Sequence, residues 1–176
     1  MDLSSSLKNA SKKVKRTLTP EDESLESADI LDTLKHEHEE AGELLEKLTT
    51  SDSGRDKKAI LRKLQVVLIQ HLRAEEKVVY EAIIALKDRK SQQDGEEGAL
   101  EHELAERALV KLMKVTDAGS PEFSATAKVL KELVTHHVEE EERNVWADVR
   151  KNFSADDRRR MNRQFEAMKR KVRLPS

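Results

Sequence analysis

The sequence predicts an all-α protein arranged as an up-down-up-down four-helix bundle. Charged residues make up 39% of the chain and aromatic residues only 3%, with five glycines and three prolines, a composition typical of amphipathic helices. Apolar residues recur at steps of three and four in four segments, and short turn sequences separate these segments. Because short loops join helices that are neighbours in space, consecutive helices are expected to run antiparallel.

The four helices are predicted at residues 27–49, 55–90, 96–117 and 121–152, with TTSDSGRD, SQQDGEEG and DAGSPE between them. One domain of about residues 26–152 follows, since 176 residues suit a single domain with extensions. Residues 1–25 are basic and rich in serine, which predicts a flexible basic N-terminal tail. Residues 153–176 predict a short basic C-terminal helical extension, because Met161, Phe165 and Met168 share one helical face.

The composition also limits the class of protein. The chain has no cysteine, so disulfides, thiolate metal sites and cysteine nucleophiles are excluded. No apolar stretch reaches the roughly 20 residues of a membrane span, and the N-terminus lacks the apolar core of a secretory signal, so a cytoplasmic location is expected. The two ends are basic and the middle acidic, which leaves contact of the ends with nucleic acid or an anionic surface open. The sequence does not indicate an oligomeric state.

Each apolar stripe is interrupted by a histidine, and three stripes also carry a glutamate four residues later. These residues are His38, His71, Glu75, His102, Glu106, His137 and Glu141. Residues four apart lie on the same helical face, so the stripes direct all seven toward the core. Unpaired buried carboxylates are costly, and several together repel one another, whereas a bound cation relieves both problems. The pattern therefore predicts a metal site, with His36 and His136 beside it or at the surface.

The two halves of the chain repeat one another. HLRAEEKVVY from His71 aligns with HVEEEERNVW from His137, and HEEAGELLEKL from His38 aligns with HELAERALVKL from His102. A helix pair used twice would relate the halves by a pseudo-two-fold axis. The histidines and glutamates are then expected to converge between them.

The number and type of donors narrow the choice of metal. Up to seven nitrogen and oxygen donors are too many for one tetrahedral zinc ion and suit two octahedral ions that share bridging ligands. The His-x-x-x-Glu spacing of His71–Glu75 and of His137–Glu141 also differs from the Glu-x-x-His of ferritin-like bundles. Two iron ions are favoured, with manganese second and zinc third.

The segments LKHEHEEAGELLEKL, HLRAEEKVVYEAI, EHELAERALVKL and HVEEEERNVWADV resemble, in order, the helical signatures of the hemerythrin-like or HHE cation-binding family, over about residues 28–150. The resemblance implies a non-heme di-iron centre in a four-helix bundle. It also implies that Glu75 and Glu141 bridge the irons, with two histidines on each ion, one pair being His38 and His71 and the other His102 and His137.

One residue departs from the oxygen-carrying members of that family, which have a histidine where this chain has Glu106. An anionic ligand favours ferric over ferrous iron, which argues against reversible oxygen carriage. Three functions follow. The first is binding of dioxygen, peroxide or nitric oxide to sense or buffer oxygen species or iron. The second is an oxidase or an enzyme that consumes peroxide or nitric oxide. The third is a metal-free helical adaptor, which the buried carboxylates disfavour.

Gly42 aligns with Glu106 in the repeat, and a glycine inside a helix costs about 1 kcal/mol relative to alanine. Two interpretations follow. Gly42 either allows close packing of neighbouring helices or leaves an open coordination position on the iron held by His38 and His71.

Overall fold

The computed structural model describes residues 27–175, and every regular element in that range is helical. The α-helices are α1 (Ile30–Thr50), α2 (Gly54–Glu75), α3 (Glu81–Ile84), α4 (Arg89–Met113), α5 (Pro121–Arg143), α6 (Val145–Asn152) and α7 (Ala155–Lys169). A π-helical turn, Glu76–Tyr80, joins α2 to α3. The all-α prediction is thus confirmed, while the predicted tail at residues 1–25 lies outside the described residues. Among the helices described, none has the length and apolarity needed to cross a bilayer.

The turn predicted at SQQDGEEG is wrong, because these residues lie inside α4. The helix begins earlier, where the Asp88 carboxylate accepts a hydrogen bond from the Ser91 backbone N–H at 2.9 Å. The two glycines that suggested a turn instead allow close packing. A β-carbon at Gly95 would lie 2.8 Å from Ile84, and one at Gly98 would lie 2.6 Å from the ring of Tyr80.

The second and fourth predicted helices are each interrupted at the same point of the repeat. The π-helical turn begins directly after Glu75. Three residues after Glu141, α5 gives way to α6 at Asn144, whose φ of −101° and ψ of −63° depart from the helical average. Local departures from α-helical geometry often occur at functional sites. Both interruptions here follow a glutamate that the sequence assigns to the metal site.

Pairs of side chains show the relative directions of the long helices. His38 of α1 faces Glu142 of α5, and eight residues further along α1 Glu46 reaches Lys131, eleven residues earlier in α5. The two helices therefore run antiparallel. The same reversal relates α1 to α2, whose pairs are Glu37–His71 and Glu40–Lys63.

Two apolar clusters lie above and below a buried polar layer. The larger cluster contains leucines of α1, α2 and α4 together with Phe123 and Leu130 of α5. The second cluster gathers the start of α1, the π-helical turn, α6 and α7, and includes Ile30 and Trp146. Along α1, His38 falls between Leu34 of the second cluster and Leu44 of the larger one. His137 falls between Val134 of the larger cluster and Val145 of the second, so apolar packing encloses both histidines on two sides.

The helix predicted in the C-terminal extension is present and packs against the second apolar cluster. Met161 and Phe165 are buried there, and Met168 is partly buried. Arg158 ties α7 to the start of α1, because its Nε donates to Asp29 Oδ2 at 2.7 Å. This helix is therefore part of the same core as the four long helices.

Gly42 lies in the middle of α1 and is exposed, and an added β-carbon would have no neighbour within 4 Å. Both interpretations of this residue are wrong, since it neither packs against a helix nor faces the buried layer. We expect Gly42→Ala to stabilise the protein by about 0.5–1 kcal/mol, because alanine has less backbone freedom to lose on folding. Chemical denaturation of both proteins checks this, and a lower unfolding free energy for Gly42→Ala would contradict it.

Candidate metal centre

Six of the seven predicted ligands come together in the polar layer. The four histidines come from α1, α2, α4 and α5 and are all buried, as are the two glutamates: His38, His71, His102, His137, Glu75 and Glu141. Each histidine lies on the apolar face of its helix, which is why the helix must carry it into the interior.

Each glutamate lies between two histidines, one from each half of the repeat. Glu75 Oε2 is 3.1 Å from His71 Nε2 and 3.6 Å from His102 Nε2. Glu141 Oε2 is 3.3 Å from His38 Nε2 and 3.5 Å from His137 Nε2. The two carboxylates therefore link the halves of the molecule across the pseudo-two-fold axis that the repeat predicts.

Three further carboxylates hold the outer nitrogens of the histidines. Glu142 Oε1 is 3.1 Å from His38 Nδ1, and Glu37 Oε2 is 3.0 Å from His71 Nδ1. Glu101 Oε2 is 2.8 Å from His137 Nδ1. A carboxylate on Nδ1 fixes the ring and leaves Nε2 directed inward, an arrangement common around metal-binding histidines.

The sequence pattern does not predict these outer carboxylates as partners of the histidines, although two of them share a position in the repeat. Glu37 directly precedes His38, and Glu101 directly precedes His102, at the same place in the two copies of the repeat. Each glutamate turns away from its own histidine and contacts the histidine of the following helix. Such a contact between helices cannot be read from spacing along one helix.

Aromatic side chains enclose the cluster. Trp146 stacks on His38 with ring centroids 5.8 Å apart. Phe165 of α7 contacts His71 edge-on with centroids 6.0 Å apart, and Tyr80 contacts His102 edge-on at 5.0 Å. Tyr80 and Trp146 occupy equivalent positions of the repeat. The rings limit access of water to the inward nitrogens.

Trp146 also makes the two glutamates unequal. Its Nε1–H donates to Glu141 Oε1 at 2.8 Å, so only Oε2 of Glu141 remains directed at the histidines. Both oxygens of Glu75 are buried without a hydrogen-bond partner among the described residues, and its side chain is 0% exposed. Glu75 therefore has two oxygens available to the centre and Glu141 has one.

The donor atoms fit a bound cation. Buried atoms without a hydrogen-bond partner among the described residues include the Nε2 atoms of His38 and His71, both Glu75 oxygens and Glu141 Oε2. His71 Nε2 and Glu75 Oε2 face each other at 3.1 Å, and His38 Nε2 and Glu141 Oε2 at 3.3 Å, without hydrogen-bond geometry. A cation held between such atoms would satisfy them, and buried polar atoms rarely stay unsatisfied in native proteins. Two groups of donors within 4.8 Å share Glu75, namely His38, His71 and Glu75, and Glu75, His102 and His137.

The electrostatics of the cluster point the same way. Burial lowers the pKa of His71, but the nearby carboxylates of Glu75 and Glu37 outweigh burial and raise the pKa to about 10. Burial and the neighbouring imidazoles hold the pKa of His102 well below 6.5. Without a metal, protons on some of these imidazoles supply the positive charge that the carboxylates require.

Burial and neighbouring charges also set the pKa values of His137 and of the two inner glutamates. Burial lowers the pKa of His137, but hydrogen bonds to Glu101 and Glu141 raise it to about 9. Burial and the charge of Glu141 raise the pKa of Glu75. For Glu141 burial also favours the neutral form, yet its contacts with histidines outweigh burial and hold its pKa well below the usual range.

Glu106 is the predicted ligand that the structure does not bring to the cluster. Both of its oxygens face Arg73, whose Nε donates to Glu106 Oε2 at 3.1 Å. The third-helix position therefore carries an ion pair near the surface. Glu106, held by Arg73, is therefore not placed to act as an anionic ligand that favours ferric iron. His36 is exposed, and His136, 63% exposed, faces Glu101 at the surface.

Two spaces adjoin the cluster. The inner cavity, of about 20 Å³, borders the cluster at His137 and Glu141. Its other walls include Tyr80, Glu101 and Glu140. An open groove of about 840 Å³ reaches His102 between α2 and α4, and its wall includes Leu72, Arg73, Ala99, Leu100, Glu106 and Val110. The inner cavity has room for about one water-sized ligand. The groove gives the solvent a path toward His102.

The family match agrees with a buried cluster that could hold cations. The chain matches the model of the hemerythrin HHE cation-binding domain over residues 2–83 and 29–147. It is also 26% identical over 144 residues to a DNA nickase from Nostoc sp. strain PCC 7120, a match that covers 81% of this chain and 40% of that protein. The chain thus spans less than half the length of this curated relative. No solved structure matches the chain.

Proposed function

Because the chain belongs to the hemerythrin HHE cation-binding domain family, we propose that its buried cluster binds two metal ions, with iron favoured over manganese and zinc. The centre lies within a four-helix bundle of α1, α2, α4 and α5 in up-down-up-down order. The antiparallel pairs of α1 with α2 and of α1 with α5 support that topology, and the family match covers all four helices.

The proposed ligands divide into two sets joined by glutamates. His38 and His71 would hold one ion, and His102 and His137 would hold the other. Glu75 lies in both groups of donors, and Glu141 Oε2 lies between His38 and His137, which supports bridging by both carboxylates. The observation that carries the proposal is the convergence of buried donors in two groups that share Glu75, with both Glu75 oxygens lacking a hydrogen bond to any described residue.

The side chains around the centre orient the histidines and shield the donor atoms from water. Iron, when bound, supplies a ferrous–ferric couple and coordination positions for dioxygen, peroxide or nitric oxide. Glu37, Glu101 and Glu142 keep Nδ1 of three histidines engaged, so their Nε2 atoms remain directed inward. The rings of Tyr80 and Trp146 keep the surroundings largely apolar.

We favour binding of a small oxygen species, for sensing or buffering of that species or of iron, over turnover of an organic substrate. The inner cavity, at about 20 Å³, has room for a water-sized ligand beside His137 and Glu141. An oxidase, or an enzyme that consumes peroxide or nitric oxide, is the second candidate, since the groove beside His102 gives such molecules access. The nicking activity in the relative's name is not extended to this chain, because most of that relative lies outside the match.

Anaerobic titration of the chelator-treated protein with ferrous iron tests the proposal. We expect two irons per chain, and absorption in the near ultraviolet after exposure to air. Binding of one metal or none would overturn the di-iron centre. Oxygen and peroxide consumption over many turnovers separates the two candidates, because a sensor or buffer stops after one equivalent and an enzyme continues.

A further inference from the structure

A second group of side chains with donor atoms close enough to hold a metal ion lies at the surface beside the buried centre. This outer cluster consists of Glu101 from α4 with His136 and Glu140 from α5. His136 Nε2 is 3.5 Å from Glu101 Oε1 and 3.9 Å from Glu140 Oε2. His136 and Glu140 repeat the His-x-x-x-Glu spacing of His137 and Glu141 one residue earlier, so the dense acidic run of α5 provides two donor faces on one helix.

The outer cluster is connected to the buried centre through one residue and one cavity. Glu101 faces both sites, because Oε1 is directed at His136 and Oε2 at His137 Nδ1. Glu101 and Glu140 also line the inner cavity, whose deep wall is His137 and Glu141. The cavity therefore lies between these carboxylates and the buried His137.

The cavity contains a buried polar group that lacks a partner. The hydroxyl of Tyr80 lines it, is fully buried and has no hydrogen-bond partner among the described residues. A β-carbon at Gly98 would lie 2.7 Å from this hydroxyl oxygen, so the glycine leaves the space that Tyr80 occupies at the cavity wall. The space fits one water-sized ligand, such as a cation or its water ligand.

We propose that the outer cluster binds a divalent transition-metal cation and passes it through the inner cavity to the buried centre. Imidazole and carboxylate are suitable ligands for such a cation. The inference rests on the proposed metal function of the buried cluster for its second step. The first step, binding at the surface, stands on the outer cluster itself.

The charge around the cavity favours entry of a cation. Its lining includes four carboxylates besides Glu141, and these are Asp94, Glu97, Glu101 and Glu140. Lys90 pairs with Asp94 at 2.6 Å and Arg143 with Glu140 at 2.5 Å, and both basic side chains are largely exposed. Arg143 contacts Oε1 of Glu140, while Oε2 faces His136. An entering cation competes with an exposed ion pair, which contributes little.

The test compares four full-length proteins after treatment with a chelator. These are the wild type, His136→Ala, Glu140→Gln and, as a matched control, His36→Ala, which removes another exposed histidine. Zinc titration by calorimetry measures the number and affinity of sites. Anaerobic mixing with ferrous iron, quenched by a chelator at increasing times, measures the rate at which iron reaches the protected centre.

We expect the wild type and His36→Ala to bind a third, weaker zinc equivalent that His136→Ala and Glu140→Gln lose. We also expect loading of the two buried irons to be about tenfold slower in these two variants, with an unchanged final number. Identical zinc stoichiometry in His136→Ala and His36→Ala would overturn the outer site. Loss of the third equivalent with unchanged loading would overturn transfer. Failure of the proposed function differs from both, since the two tight equivalents would then be absent in every protein.

Discussion

Glu75→Gln is expected to weaken binding at both buried metal positions by more than about 100-fold, the largest effect of any single substitution in the cluster. Glu75 belongs to both donor groups and has two oxygens without partners, whereas Trp146 occupies one oxygen of Glu141. Glutamine keeps the shape of the side chain but loses the negative charge that two cations share. Metal content after anaerobic loading and dialysis measures the effect.

Two control variants make this result specific. Glu76→Gln changes the neighbouring exposed carboxylate, and Glu106→Gln changes the predicted ligand that pairs with Arg73 instead. Both are expected to retain two metals per chain. A Glu75→Gln protein that loses one ion only would show that Glu75 serves a single position, and one that keeps both at wild-type affinity would show that it is no ligand.

Removal of the metal is expected to lower the melting temperature at neutral pH, by an amount that grows as the pH rises from about 6.5 to 9. A ligand that binds only the folded state stabilises it, and deprotonated imidazoles bind metal more tightly. The stability of the metal-free protein instead falls as the pH rises through this range. The folded-state pKa values of His71 and His137 are raised to about 10 and about 9, above the usual 6.5.

Between pH 6.5 and these raised pKa values, His71 and His137 of the folded metal-free protein hold protons that the unfolded chain has released. Its extra stability is complete below pH 6.5 and is lost as the pH rises toward 9 and 10, with each such proton contributing about 1.4 kcal/mol per pH unit. Below pH 6.5 the metal-free protein is expected to weaken again, because the pKa of His102 is lowered and the folded state resists its protonation. Thermal unfolding of metal-bound and chelated protein from pH 5 to pH 10 measures both curves. A constant difference between them would show that these imidazoles are not shared between protons and metal.

The sequence alone determined the helical class and most of the buried cluster. Apolar spacing requires each helix to bury the stripe that carries His38, His71, His102 and His137, and this part of the inference needs only helical geometry. The same geometry assigned Glu75 and Glu141 correctly to the interior, because each lies four residues from a buried histidine.

Spacing failed where the decision depended on a neighbouring helix. Glu106 satisfies the same rule as Glu75, but Arg73 of α2 lies within reach and takes both of its oxygens. The glycines of SQQDGEEG looked like a turn, but Gly95 and Gly98 allow close packing with Ile84 and Tyr80. A helix shows in sequence which of its faces is apolar, but not which side chains stand opposite that face.

Tertiary structure alone decided how the two halves of the cluster are joined and supported. Glu37 and Glu101 cross to the histidines of the next helices, and Trp146 removes one oxygen of Glu141 from the centre. These contacts join residues on different helices, whose relative rotation and depth are set by the packing of two apolar clusters. The sequence therefore determined which donors are buried, and packing determined which of them meet, because each meeting depends on both helices at once.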